Sequence, residues 1–398
     1  MTRDGRPPLV LVGLDSLQGL QVARLFARRG LEVHAVAKDP RYYSCRTRVV
    51  RSLTFCNTGN ASLLDHLRVL GSTLSAKAVL IACQDKAVAV LSNGRDQLEP
   101  WYHLVLPPPA VVDELIHKAG FASYATAVGL PIPKTFVVAA PHDAQRAAAE
   151  LTYPVILKPN FRTAEWMKHT KMKAVKVDSA EELLALCDRL AGRVPELIVQ
   201  DWIAGPDSEH VTCNVYLDRT STTLSGFVSR KIRQWPPVVG QGCLAEMVDD
   251  EEVYGLTRRF FEAAGLVGFG YMEFKRSQGD GRLIAIEPNI GRPTGRSPLA
   301  EAAGIEFHYT AYADAAGLPL PTQRGPHGAH VKWIHELRDL QASLTAMRNG
   351  QLGFADWMRS MRGPKTCAVL SRRDPMPFLA ALAGSASELR SPRSRAAP

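Results

Sequence analysis

One stretch constrains this chain more than any other: Gly270-Tyr271-Met272-Glu273-Phe274-Lys275, then Arg276-Ser277-Gln278-Gly279-Asp280-Gly281, then Arg282-Leu283-Ile284-Ala285-Ile286-Glu287-Pro288-Asn289. Gly279-Asp280-Gly281 is a hairpin-turn signal between two strand-like runs. Asp280 is the sequence midpoint between Glu273 and Glu287, so a simple hairpin sets the two carboxylates opposite each other. Side chains two residues apart share a strand face, which puts Asn289 beside Glu287. Like charges placed opposite are destabilising, so something positive belongs between them. Two carboxylates and an amide oxygen suit a hard cation. Clustered around a nucleotide's phosphates, such a trio is a magnesium site. The alternative, an acidic hairpin turned to water, fits poorly with Met272, Phe274, Ile284 and Ile286, which mark a packed sheet.

A chain of 398 residues is long enough for two or three domains. With 46% hydrophobic and 22% charged residues it has the composition of a soluble globular protein. No apolar run approaches the length of a membrane span, and the run at 9–12 reads as a buried first strand rather than a leader core. The seven cysteines are scattered without a Cys-x-x-Cys pair, so a reducing cytoplasm is expected, with no disulfide frame or zinc site. Of the net charge of +9, part lies in an Arg-rich stretch from Gly384, expected to be disordered. Part lies at 158–176 and 229–233, where it suits phosphates or acidic substrates. These clusters carry no interleaved aromatics beyond Trp166 and Trp235, which disfavours a nucleic-acid partner.

The first hundred residues read as alternating β and α: strand 9–13, helix 18–29, strand 31–37, strand 79–82. That pattern predicts a parallel sheet with right-handed crossovers. Gly13 to Gly19 resembles a dinucleotide fingerprint only loosely, lacking the second close glycine, so a nicotinamide dehydrogenase has little support. Asp85, just past the strand at 79–82, is either the N-cap of the next helix, the favoured reading, or a crevice-lining residue. Pro107-Pro108-Pro109 marks a boundary. Beyond it the spacing predicts helix 111–128, strand 135–139, helix 142–151, strand 154–158, strand 174–177, helix 179–189 and strand 197–203. Ser179 and Glu182 form a capping box for the last of these helices. After about 321 the chain reads as helical again, at 337–348 and 353–361.

In this order the landmarks resemble the ATP-grasp superfamily, in its carboxylate–amine ligase branch, which includes D-aspartate ligase-like enzymes. The resemblance runs from about residue 8 to 321. It is most specific at Glu273 and at Glu287-Pro288-Asn289-Ile290-Gly291-Arg292, where the superfamily shows Glu-x-Asn-x-Arg and this chain has one extra residue before Arg292. It implies an α/β (α+β) fold with four parts: a Rossmann-like domain at 1–108, an ATP-grasp domain at 109–321 with a hinge near 200–205, a mostly helical region at 322–383 and a basic tail at 384–398.

The resemblance also assigns residues. Glu273, Glu287 and Asn289 would hold Mg2+ or Mn2+. Lys118 and Lys158 would meet the nucleotide, Lys158 at the adenine and α-phosphate. Gln200, Asp201, Trp202 and Ile203 would form the hinge, with the backbone of Trp202 and Ile203 reading the adenine edge. Glu209, with Asp207 as a rival, would accept from the ribose hydroxyls. Lys231 and Arg233, on one strand face, would hold the γ-phosphate and the acceptor carboxylate, and Arg292 would steady developing charge. The phosphate loop departs from the pattern: 160–173 contains no glycine, so Lys171 and Lys173, on one face if the run is a strand, would replace backbone cradling, helped by Arg162.

The activity implied is ATP-dependent: a carboxylate becomes an acyl phosphate, and an amine displaces phosphate to give an amide or peptide bond. Arg292 and Arg296 would suit an acidic acceptor. The partners implied are small-molecule carboxylates and amines, with family analogy suggesting a homodimer. Two alternatives keep the nucleotide: a small-molecule kinase, and a protein that binds ATP without turning it over. No Ser/His/Asp or Cys/His set stands out, and His327, His330 and His335 read as structural or surface residues.

Overall fold

The computed structural model describes residues 5–160, 163–170, 172–237, 240–325, 328 and 330–390. The amino-terminal part runs β1 (Leu9–Val12), α1 (Leu17–Arg28), β2 (Val33–Ala37), β3 (Ser52–Phe55), α2 (Ser62–Thr73), β4 (Ala78–Ala82), α3 (Asp85–Asn93), α4 (Arg95–Leu98) and β5 (Tyr102–Leu104). Its strands form a parallel sheet of order β3-β2-β1-β4-β5. β1, β2 and β4 are buried throughout, which is why they read as nearly unbroken apolar runs. Packing accounts for the two glycines of the loose fingerprint. A Cβ on Gly13, at φ +96°, would lie 2.8 Å from the Gln84 side chain, and one on Gly19 would lie 2.3 Å from the Gly13 carbonyl oxygen.

The single helix expected over 111–128 is two, α5 (Pro109–Leu115) and α6 (Lys118–Ala127), so Lys118 opens a helix instead of sitting inside one. Next come β6 (Thr135–Val138), α7 (Pro141–Glu150), β7 (Val155–Pro159), α8 (Ala164–Thr170), β8 (Val175–Val177), α9 (Ala180–Leu190) and β9 (Leu197–Asp201). They build a lobe on an antiparallel sheet of order β6-β9-β7-β8, around its own apolar core of Val155, Leu157, Trp166, Leu183 and Val199. Ser179 caps α9, accepting from the Glu182 amide at 3.2 Å. The glycine-free run holds α8, not a strand. Trp166 is fully buried there and donates its indole N–H to the Met172 carbonyl at 2.6 Å, which locks the turn after the helix.

The remainder runs β10 (His210–Leu217), β11 (Thr223–Trp235), β12 (Gln241–Val248), α10 (Glu251–Ala263), β13 (Gly268–Arg276), β14 (Leu283–Ile290), α11 (Pro298–Ala302), α12 (Phe307–Ala315), β15 (Lys332–Ile334), α13 (Glu336–Arg348), α14 (Phe354–Ser360), β16 (Lys365–Cys367) and α15 (Met376–Arg390). Among the described residues its strands form one sheet of order β14-β13-β10-β11-β12-β15-β16. The region expected to be mostly helical thus also adds two short strands to this sheet. α15 also continues into the stretch expected to be a disordered tail. Two apolar clusters run through both larger sheets. One joins Leu80 and Val88 to Phe261 and Phe274; the other joins Leu11 and Ile81 to Phe227, Phe269 and Phe307. A buried Arg24–Asp374 ion pair at 2.9 Å ties the end of the chain to α1. All seven cysteines are free thiols, and no helix among the described residues is long and apolar enough to cross a membrane.

Candidate active site

β13 and β14 bring the two acids opposite each other as expected, but not as a simple hairpin: Phe274 pairs with Ala285, and a bulge at Ile286 shifts the register by one before Glu273 meets Glu287. Glu273 stands opposite Glu287, and Tyr271 opposite Asn289. Two facing carboxylates and an amide oxygen make an all-oxygen donor set of the kind a hard divalent cation takes. Asn289 Nδ2 is buried without a hydrogen-bond partner, so protein contacts alone leave this group's polar inventory incomplete. Among the described residues no group of three or more His, Cys, Asp or Glu forms a metal cluster, and the candidate centre is two acids and an amide.

Arg292 is buried and forks onto Asp85: its Nε donates to Asp85 Oδ1 and its Nη2 to Oδ2 at 3.0 Å. Nη1 donates to the Tyr271 hydroxyl at 2.8 Å, and Nη2 also donates to Asn289 Oδ1 at 3.0 Å. Asp85 is therefore not an N-cap. It lies in the first turn of α3, behind Gln84 at the N-cap position, and its carboxylate is an arginine partner.

On the lobe side, Lys118 donates its Nζ to the Asn160 carbonyl at 2.9 Å, and its amide donates to Asn160 Oδ1 at 3.1 Å. Burial pushes the Lys118 ammonium below the usual lysine range, against the opposing pull of Glu287 and Asp85. Burial also brings Lys158 down to about 8, with Glu287 pulling it up and Lys118 pushing it further down. Lys118 thus feels both Glu287 and Asp85, and Lys158 feels Glu287 and Lys118, so the four charges lie within electrostatic reach of one another.

The hinge strand ends β9. Gln200 is buried and donates to Thr135 Oγ1 at 2.7 Å, and Asp201 Oδ1 is buried without a partner. The Trp202 amide already donates to the Pro154 carbonyl at 3.3 Å. Two ammonium groups lie over the Trp202 ring, Lys275 at 5.4 Å and Lys176 at 6.0 Å from its centroid, and Ile203 follows it, half-buried. Asp207 and Glu209 share the short turn that enters β10.

Lys231 is buried and donates to Gln234 Oε1 at 2.9 Å. Burial lowers its pKa, Glu273 and Asp207 raise it, and Arg296 and Lys275 lower it further. Arg296 is buried too, donating to Thr212 Oγ1 at 2.9 Å, with Glu273 Oε1 3.9 Å away. Burial among Lys231, Lys275 and Arg296 holds His210 down to about 2. Arg233 goes elsewhere. Lys231 pairs with Ala245 and Arg233 with Leu244, so a bulge at Ile232 breaks the alternation that would put both cations on one face. Arg233 instead makes a two-pronged ion pair with Asp339 of α13, at 2.8 and 3.1 Å, and donates to Ser360 Oγ at 2.7 Å. Lys171 and Arg162 lie outside the described residues, and Lys173 is exposed after α8.

Sequence reasoning passed over Asn160, Tyr271, Lys275 and His210. Tyr271 and Lys275 were accessible from the period of two, because each lies two residues from Glu273. It also missed a buried relay in which Ser297 Oγ meets His308 Nε2 at 2.9 Å and His308 Nδ1 meets Glu301 Oε1 at 2.7 Å. Ser297 is 1% exposed and its hydroxyl also contacts the Thr294 carbonyl at 2.7 Å, so the relay anchors the loop bearing Arg292 and Arg296 and offers no nucleophile.

No protein-family model matches the chain. It is 27% identical over 231 residues to a D-aspartate ligase of Enterococcus faecium, covering 55% of this chain and 54% of the relative. It is 25% identical over 220 residues to a D-alanine–D-alanine ligase of Pseudomonas entomophila, covering 51% of this chain and 63% of the relative. The chain thus spans little more than half the length of these curated relatives. Among solved structures it superimposes on the biotin carboxylase domain of Hydrogenobacter thermophilus 2-oxoglutarate carboxylase, in complex with MgADP, ADP and bicarbonate. The TM-score is 0.61 at 17% identity, over 79% of this chain and 71% of that one. The fold is that of the ATP-grasp proteins. Both curated relatives are named as ligases, and the chain matches each over about half of its own length.

Proposed function

We propose that this protein is an ATP-dependent ligase that converts a carboxylate to an acyl phosphate and couples it to an amine, releasing ADP and phosphate. The observation that carries the reading is the facing pair Glu273 and Glu287, with Asn289 on the same face and the charges of Lys118 and Lys158 within electrostatic reach of Glu287. Glu273, Glu287 and Asn289 would hold Mg2+ or Mn2+, which would offset charge on the phosphate oxygens.

The chain's own residues supply the rest. Lys158 and Lys118 set positive charge against the nucleotide phosphates. Trp202 and the backbone after it flank the base; the Trp202 amide is already bonded, so the Ile203 amide is the donor assigned to the adenine edge. Glu209 accepts from the ribose. Lys231 and Arg296, buried around Glu273, stabilise charge as the γ-phosphoryl group passes to the carboxylate oxygen and ADP leaves. The amine then attacks the acyl carbon, phosphate leaves with its bonding pair, and the amide nitrogen loses a proton. Lys173 and Arg233 have no assigned part in this sequence of steps, and Lys171 lies outside the described residues. The free thiols suit a reducing compartment, consistent with a cytoplasmic enzyme.

The test is a screen of carboxylate–amine pairs for ADP release, with hydroxylamine added to trap acyl phosphate. The reading expects ADP release that needs both partners and a hydroxamate when hydroxylamine replaces the amine. ADP release with a carboxylate alone, and a stable phosphorylated product, would indicate a kinase instead.

A further inference from the structure

The extra residue between Asn289 and Arg292 has a structural consequence. It is Gly291, at φ +74°, and its amide donates to the Phe269 carbonyl at 2.7 Å. A Cβ there would lie 2.4 Å from Val88 Cγ1 of α3, so the turn presses directly on the amino-terminal domain. It carries Arg292 onto Asp85 at the start of that helix.

We infer that Asp85 is a positioning residue for the metal-binding amide, acting through Arg292, so that the amino-terminal domain completes the metal site. This rests on the metal role proposed above. An arginine can only donate, so it dictates that the oxygen of the Asn289 carboxamide, and not its nitrogen, faces it. That oxygen keeps a second lone pair for a cation. Nothing else steadies the group, because Asn289 Nδ2 has no partner. Arg292 in turn is aimed by the two-pronged Asp85 contact and by the Tyr271 hydroxyl. Four of its five N–H donors are thus engaged. The Asp85 backbone is fixed from within its own domain: neighbouring Gln84 donates to Asp15 Oδ1 at 3.1 Å and accepts from Thr58 Oγ1 at 3.0 Å.

The experiment measures Mn2+ binding by electron paramagnetic resonance on the full chain with saturating ADP, alongside metal-free ADP binding by calorimetry. Asp85→Asn keeps shape and loses the charge-assisted fork. It is expected to weaken Mn2+ by about 10-fold, the low end for an outer partner of a metal ligand because Asp85 acts through Arg292, with metal-free ADP binding not weakened. Asp85→Glu should restore part of the loss. Arg292→Lys, which keeps the charge without the fork, should weaken Mn2+ similarly, and the double variant should be no worse than the worse single one. Glu287→Gln is the control on the metal reading. If it abolishes Mn2+ binding while Asp85→Asn changes nothing, the positioning inference fails and the metal site stands. If neither changes Mn2+ binding, the metal reading itself fails. A lowered KM for the carboxylate in Asp85→Asn, with Mn2+ affinity intact, would overturn the inference by making Asp85 a stand-in for substrate.

Discussion

The four-stranded lobe and the body built by the other two sheets are joined to their surroundings in different ways. In the body, two apolar clusters pass from the parallel sheet into the long antiparallel one, so the two sheets cannot part without exposing core. The lobe keeps its core to itself, within residues 138–199. Polar contacts cross from it to the body: Asn160 with Lys118, and Trp202 beside Lys275. Glu273, Glu287 and Asn289 stand on the body, and Lys158 on the lobe. The acids therefore occupy a frame held in place by shared burial. The lysine is carried on a unit that can shift without tearing an apolar interface.

The largest expected effect falls on the body. Glu287→Gln should lower amide formation by about a hundredfold or more in kcat, at an unchanged melting temperature. Core truncations separate the two units next. Phe261→Ala in the body should cost about 3–5 kcal/mol and lower the main unfolding transition. Leu183→Ala in the lobe should cost about 2–5 kcal/mol, with hydrogen-exchange protection lost only across the lobe. Loss of protection in both units from the lobe variant would break the contrast.

Within β11, Arg233→Met should destabilise by about 3–5 kcal/mol, because it strands buried Asp339, and should leave ADP affinity alone. Lys231→Met should do the reverse, lowering turnover at little cost in stability, since it removes a buried cation whose hydrogen-bond partner is a neutral amide.

The pH effect is smaller and belongs to the lobe. Lys158 in the free protein loses its proton near 8. Phosphate favours the charged form, so ADP affinity should be flat below about 8 and fall above it, by no more than tenfold per pH unit. Titration calorimetry across that window should show the fall, and Lys158→Met should flatten it. Smallest of all, Asn160→Ala should cost about 1 kcal/mol, since its carboxamide accepts from the first amides of α6, and should weaken ADP binding modestly.

The body was more legible in the sequence than the lobe. Its parallel strands are buried on both faces and read as apolar runs, and the spacing of Glu273 and Glu287 about the turn points to their facing each other, although a bulge at Ile286 that the count does not show is what aligns them. Three features resisted reading. α8 has few apolar residues to set a period, and its one deep anchor is Trp166. β15 and β16 are three residues each, too short for alternation to register. The bulge at Ile232 and the left-handed Gly291 each redirect one arginine, and a count of residues carries no sign of either. Asp85 was missed as an ion-pair partner because Arg292 is 207 residues away in the chain.

The most direct measurement is a crystal of the full chain soaked with MnADP, with anomalous scattering collected at the manganese edge. The account predicts a peak between the Glu273 and Glu287 carboxylates, within coordination distance of Asn289 Oδ1, and ADP phosphates against Lys158. A manganese peak elsewhere, or ADP bound away from Lys158, would contradict it.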